Sequence, residues 1–353
     1  MNLFKPARLA PLVMLVVMTA ALSGCQTDTP PPPAPPPPAP APPPPPPITL
    51  SNQVIEQASA WHAYMLRAEA ISPNFTDGPS IAQSLRVGEA YEPKQFLGGA
   101  VAYGAVVALQ EPTFVAGVRK YVADPQQRAQ MIAQIMSNPD FVRSFDGADA
   151  AAGQVVAAIA DAGLKVYQNG KAVKQSAYTV QYQKWSKETV VDRDGRLALA
   201  KSLSAQPLQA DMAEIPTLTQ ASLGQASLGV TPQTAVWTPV VTRSVALAAL
   251  AALGAAGDDA MPNLQTLLQD PNSGYCLNMA KLNLYQCLAV AKPHYEDVFC
   301  LGQHVLMDTG SCMVKSAGAS LPPEPVYIPP PKQVPVVKSS VQDKPRPTTK
   351  KKK

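Results

Sequence analysis

Four cysteines, Cys276, Cys287, Cys300 and Cys312, fall within one short stretch near the end of a 353-residue chain that has only one other cysteine, Cys25. Their spacing restricts how the chain around them can fold. On one helix, Cys276 and Cys287 are eleven residues apart, a rotation of about 1100°, so both thiols face nearly the same way but lie about 16 Å apart along the axis. A disulfide needs Cα atoms within about 7 Å, so the two cannot bond to each other there. Cys300 and Cys312 behave alike on a second helix. Pro293 is placed to stop the first helix, and the midpoints of Cys287/Cys300 and of Cys276/Cys312 both fall at His294 or beside it. An antiparallel hairpin with nested bridges, Cys287 to Cys300 and Cys276 to Cys312, is therefore expected. The alternative, Cys276 to Cys287 with Cys300 to Cys312, requires both arms to break into loops.

The two arms also echo each other, "YCLNMAKL" against "FCLGQHVL". The layout resembles the twin Cys-x9-Cys helical hairpins of mitochondrial intermembrane-space proteins. The likeness is geometrical, covers about forty residues, and has internal spacings of ten and eleven here. Close Cys-x2-4-Cys pairs for zinc and Cys-x-x-Cys-His for haem are both absent, so neither metal nor other cofactor is expected.

Disulfides persist in oxidising compartments, and the N-terminus points to one. Lys5 and Arg8 precede an apolar run, Leu9 to Leu22, that is shorter than the roughly 18 to 20 residues of a spanning helix. The run ends in "LSGC", Leu22 to Cys25, which resembles the lipobox of bacterial lipoproteins. The resemblance implies cleavage before Cys25 and acylation of Cys25 on its thiol and new amino group, palmitate included. Several acyl chains give stable anchoring where one is marginal. Gln26, rather than Asp, follows the cysteine, and by analogy with enteric sorting this implies the outer membrane, facing the periplasm.

Thr29 to Pro47 is almost wholly Pro and Ala, a composition that favours polyproline II and would hold the next domain on the order of 60 Å from the head groups. From Leu321 onward the chain is again Pro-rich and then basic, ending in Lys350, Lys351, Lys352 and Lys353. The formal charge of +4 includes +2 from Lys5 and Arg8 and a net +7 from Lys332 to Lys353, which leaves the remainder at −5. The lysines of the tail are the candidate anion-binding residues. In an envelope their partners would be peptidoglycan or another anionic component, not nucleic acid.

The body is rich in Ala and poor in aromatics, 6% of the chain, which favours helix. Val54, Ala58, Trp61, Met65 and Ala68 mark a helical face after Ser51 as N-cap. Pro93 to Leu109, with Gly98, Gly99 and Gly104, reads as a buried central helix. A membrane-inserting element is the alternative. Asp149 to Glu188 reads as one long helix or two broken at Gly170, with Tyr178, Tyr182 and Trp185 as packing residues. "EPTFVAGV" at Glu111 and "NPDFVRSF" at Asn138 echo each other as turn-to-helix starts, and "DRDGR" at Asp192 reads as a turn before a helix. A Ser/Thr/Gln/Gly-rich stretch then separates this region from further helices at Thr242 to Gly254 and near Pro262 to Leu268.

The expected organisation is a signal peptide (1–24), a lipid-anchored Pro-rich stalk (25–47), a main helical domain (48–204), a linker or long loop (205–241), a C-terminal helical segment with the four-Cys hairpin (242–318), and a disordered basic tail (319–353). The fold class is mainly α, a helical bundle with a C-terminal disulfide-linked α-hairpin. Two patterns suggest chemistry. "VLMDTGSC", Val305 to Cys312, resembles the catalytic loop of aspartic peptidases, but it lacks a second copy and lies where a helix ending at Thr-Gly is expected. His294, Glu296, Asp297 and His304 are metal-capable types at spacings that do not share a helical turn. No catalytic residue is assigned. A non-catalytic envelope scaffold or assembly partner, with a protein partner in the envelope, is the leading expectation. An envelope hydrolase with an unrecognised site and a surface or secretion-system component are the alternatives.

Overall fold

A computed structural model describes residues 44–269 and 274–323, and among these there are thirteen α-helices and no strand. Cys25, the stalk before Pro44 and the tail lysines Lys350 to Lys353 lie outside the described residues. Helix α1 (Asn52–Glu69) begins at Ser51, whose side chain accepts from the Gln53 amide at 3.2 Å, and the predicted face from Val54 to Ala68 is fully buried. After α2 (Gly78–Glu89), α3 (Pro93–Ala108) starts with Glu92 accepting from the Gln95 amide at 2.7 Å and with Pro93 in the first turn.

Helix α3 is buried on every side and packs on α1, so it is the central helix of the body and not a free apolar segment. A Cβ at Gly99 would lie 2.6 Å from Cβ of Trp61 and 2.8 Å from the Gln57 carbonyl oxygen, so only glycine permits this approach. Among the described residues no single helix is long and apolar enough to cross a membrane. The pair Pro93–Ala108 and Pro112–Arg119 passes by composition alone and is bent by 88°. The aromatics, scarce in the sequence, concentrate where α1 meets α3: Tyr64 meets Phe96 edge to face with centroids at 5.0 Å, and Tyr91 lies tilted against it at 4.6 Å.

The echoed motifs start helices in the same way. Glu111 caps α4 (Pro112–Arg119), and Asn138, just after α5 (Pro125–Ser137), caps the 3₁₀ turn Pro139–Ser144; each cap is followed by Pro in the first turn. Helix α6 (Ala148–Val180) then runs unbroken for 33 residues. Gly170 is not a break in it, and Tyr178 and Tyr182 are not core residues: they are 48% and 78% exposed. They lie at the end of the helix, where Tyr178 meets only the edge of Phe299, with centroids 6.5 Å apart, and Tyr182 stays in solvent.

Helix α7 (Arg193–Leu203) begins within "DRDGR". Asp192, at φ 52°, caps it by accepting from the Gly195 amide at 3.0 Å. The segment 205–241 lies along the body. It carries α8 (Ile215–Ser222), buries Leu218 and Ala221, exchanges hydrogen bonds between Asp211 and Ser59, and bonds the Gln233 amide to the Gly153 carbonyl at 3.1 Å. Helices α9 (Pro239–Ala252) and α10 (Met261–Leu268) continue the same hydrophobic core, with α9 packed on α3 and α6.

The cysteine hairpin follows. Helix α11 (Gly274–Val290) is one arm. The other is α12 (His294–Cys300), a π-helical stretch (Leu301–Met307) and α13 (Asp308–Ser316) in continuous succession. Disulfides join Cys276 to Cys312 and Cys287 to Cys300, with Cα atoms 5.7 and 5.8 Å apart. The second arm lies directly on α6. A Cβ on Gly163 would come within 2.9 Å of the Gly310 carbonyl, and one on Gly170 within 2.6 Å of the Met307 amide nitrogen. Gly170 and Gly310, expected to loosen helices, instead let two helices touch backbone to backbone.

Candidate functional site

Three polar constellations stand out against this apolar body. The first is centred on His62 of α1, at the edge of the Val54–Ala68 stripe. Its ring stacks on Tyr103 of α3, centroids 4.7 Å apart and planes within 10°, and its Nδ1 pairs with Glu214 just before α8. The second carboxylate oxygen of Glu214 is buried without a hydrogen-bond partner. Tyr103 is buried, and desolvation, with the Glu214 and Asp161 carboxylates adding to it, pushes its hydroxyl pKa up, so it stays protonated as a donor. A cavity of about 470 Å³ opens here between α1 and α6, roofed by Leu228 to Gln233 and rimmed by Glu69, Asp161 and Lys165.

A histidine whose Nδ1 is held by a carboxylate has Nε2 fixed in orientation, which is the arrangement a general base needs. Catalysis would also need a nucleophile or an activated water. Thr231 and Tyr103 are the side-chain hydroxyls among the described residues lining the cavity. Sequence reasoning missed this pair because His62 and Glu214 are 152 residues apart and Glu214 sits in the polar segment 205–241. A histidine directly after a buried tryptophan was the one local signal.

The second constellation lies between α2, α7 and α12. Arg196 and Asp297 form an ion pair whose side chains are 12% and 4% exposed. Burial pushes the Asp297 carboxyl pKa up, against the guanidinium that lowers it. Arg196 also donates to the Leu288 carbonyl, and Arg193 donates to the Ala289 and Ala291 carbonyls at 2.8 Å each. The "DRDGR" turn thus supplies two arginines to the unsatisfied C-terminal carbonyls of α11, where cations are favoured. Beside it, Glu89 has a buried, unpartnered carboxylate oxygen, and Lys281 Nζ sits 3.4 Å over the Tyr91 ring while donating to the Glu89 carbonyl. Desolvation carries Glu89 up to about 7 and Lys281 down to about 7.

The third is the Asp308 region. Asp308 does not lie in a loop, and Thr309-Gly310 does not end a helix: Asp308 is the first residue of α13, which continues through both. His304 and Gln303 of the π-helical stretch bond its carboxylate at 2.9 and 3.0 Å, and Thr309 bonds the Tyr91 hydroxyl at 2.8 Å. Burial raises the Asp308 pKa, but these hydrogen bonds and the nearby imidazole outweigh it and hold the group below the usual carboxylate range. The metal-capable residues are separately engaged. Glu296 accepts from the Lys292 amide at 2.8 Å, Asp297 holds Arg196, His304 holds Asp308, and His294 lies against Trp185. Among the described residues no three His, Cys, Asp or Glu gather around a point.

No protein-family model, curated protein or solved structure matches this chain.

Proposed function

We propose that this chain is a lipid-anchored envelope protein, attached through Cys25 to the outer membrane on its periplasmic side, whose rigid helical body acts as a non-catalytic scaffold or assembly partner. The observation that carries the reading is the pair of nested disulfides, a kind of bond that persists in oxidising spaces, in a chain that begins with a lipobox-like segment. The Pro-rich stalk spaces the body from the lipid, the bridges lock the hairpin, and the basic tail with Lys350 to Lys353 offers contact to peptidoglycan or another anionic envelope component. The test is metabolic labelling with a palmitate analogue followed by membrane fractionation of the wild type and Cys25→Ser. Label and outer-membrane recovery should both vanish in the variant. Equal recovery from the membrane without label would refute the anchor.

An envelope hydrolase is the second reading, favoured by the His62–Glu214 pair at the mouth of a cavity. His62→Gln separates the two: a scaffold retains its crosslinked partners and its cellular role, and a hydrolase loses the role while keeping the partners.

A further inference from the structure

The side of α6 that carries the exposed tyrosines borders a groove. Tyr178 of α6 and Gln181 just after it form one wall, and Val290, Tyr295 and Phe299 of the hairpin form the other, with the Cys287–Cys300 bridge as the floor. The space is about 260 Å³ and almost wholly apolar. Val290 is 73% exposed beside it. Tyr178 and Phe299 meet edge to face at 6.5 Å and make an aromatic corner, and among the described residues lining the groove Glu296 is the one with a charge. Aromatic-lined grooves with an acidic residue at the rim are suited to proline-rich segments, which are extended in advance and lose little entropy on docking.

We infer that this groove binds the chain's own segment Val326 to Lys332, "VYIPPPK", as a polyproline II ligand. Reach permits it. Ala319 is bonded back to the Val314 carbonyl at 3.0 Å, and from Phe299 to Val314 the second arm advances about 22 Å. The eight residues from Ala319 to Tyr327 span about 25 Å when extended, enough to return along the hairpin to its closed end. Charge selects it over the other proline tract. In a three-residue repeat, Val326, Pro329 and Lys332 share one face, so a proline at the aromatic corner puts a lysine about 9 Å further along to meet Glu296. Thr29 to Pro47 has no charged residue and makes no such pair.

The test uses the full chain with a photo-crosslinking benzoylphenylalanine at position 327. Irradiation should give a crosslink within one molecule to peptides containing Tyr178 to Gln181 or Tyr295 to Phe299. Phe299→Ala should reduce its yield about tenfold. Glu296→Lys, at the groove's rim, should also weaken it, and pairing it with Lys332→Glu should restore it, while both disulfides stay intact as the folding control. Crosslinks only to other peptides, or none, would overturn the inference. Crosslinks found only in covalent dimers would overturn the intrachain assignment and make a second copy the occupant.

Discussion

The cysteine hairpin and the polar segment 205–241 are both laid onto the same helical core, and they are held there by opposite means. The hairpin is clamped by two disulfides, by backbone contact through Gly163, Gly170 and Gly310, and by buried charges. The segment 205–241 carries no crosslink and is fastened at scattered points: Asp211 on Ser59, Glu214 on His62, Leu218 and Ala221 in the core, Gln233 on Gly153. Local opening costs least where buried apolar contacts are few, so the roof of the His62 cavity belongs to the part of the molecule that opens most easily. The hairpin belongs to the part that opens last.

The largest expected effect breaks the clamp. Replacing Cys276 and Cys312 together with Ala frees a loop of 36 residues and should cost about 4 kcal/mol, seen as a lowered denaturant midpoint at unchanged helical content. The same change at Cys287 and Cys300, separated by 13 residues, should cost about 3 kcal/mol. If neither moved the midpoint, the hairpin would not be the stable half.

Close behind comes the buried ion pair. Asp297→Ala strands Arg196 without its counter-charge and should cost about 3 kcal/mol, whereas Arg196→Met with Asp297→Leu should cost about 1 kcal/mol, through the lost bonds to the Leu288 and Ala291 carbonyls. The double variant being the worse of the two would contradict the desolvation argument.

The pH dependence is of the same order. Folded Glu89 keeps its proton up to about pH 7, and the unfolded chain releases it near 4.5, so this group's stabilising contribution is full in acid and is lost as pH rises towards 7. Folded Lys281 gives up its proton near 7, and the unfolded chain keeps it to 10.5, so stability returns as pH rises from 7 to 10.5. Together the two groups produce a minimum near neutrality. Lys281→Met should abolish the rising alkaline limb and move the Glu89 titration higher, measurable as denaturant midpoints from pH 4 to 10.

The smallest effect sharpens the other side of the comparison. Glu214→Gln should cost about 1 kcal/mol and should speed amide exchange across 205–241 while leaving the hairpin amides unchanged. Uniform acceleration of both would erase the distinction between the two regions.

Much of this fold was legible because helices declare themselves locally. The stripe from Val54 to Ala68 and the Ser51 cap follow from a single turn's periodicity. The hairpin follows from cysteine spacing and one proline, because a covalent bond restricts geometry more tightly than any propensity does. The illegible parts are those where a residue's role depends on what packs against it. Gly170 and Gly310 have the composition of breaks but serve as contact points between α6 and the hairpin, which only the facing backbone reveals. Tyr178 and Tyr182 have the spacing of packing residues, yet the second wall reaches only Tyr178. Segment 205–241 has the Ser, Thr, Gln and Gly content of a linker, and the apolar residues spaced among them, Leu218 and Ala221 deepest, are the ones that dock it. The pairing of His62 with Glu214 left only the histidine beside Trp61 as a trace in the sequence, since neither residue type nor spacing marks a contact across 152 positions.

The most direct test of the account is mass spectrometry of the protein purified from the membranes of the cells that make it, with free thiols alkylated before digestion and no reductant. The account predicts an acylated Cys25 as the first residue, together with linked fragments joining Cys276 to Cys312 and Cys287 to Cys300. An unmodified Cys25, or alkylated thiols at the four hairpin cysteines, would contradict it.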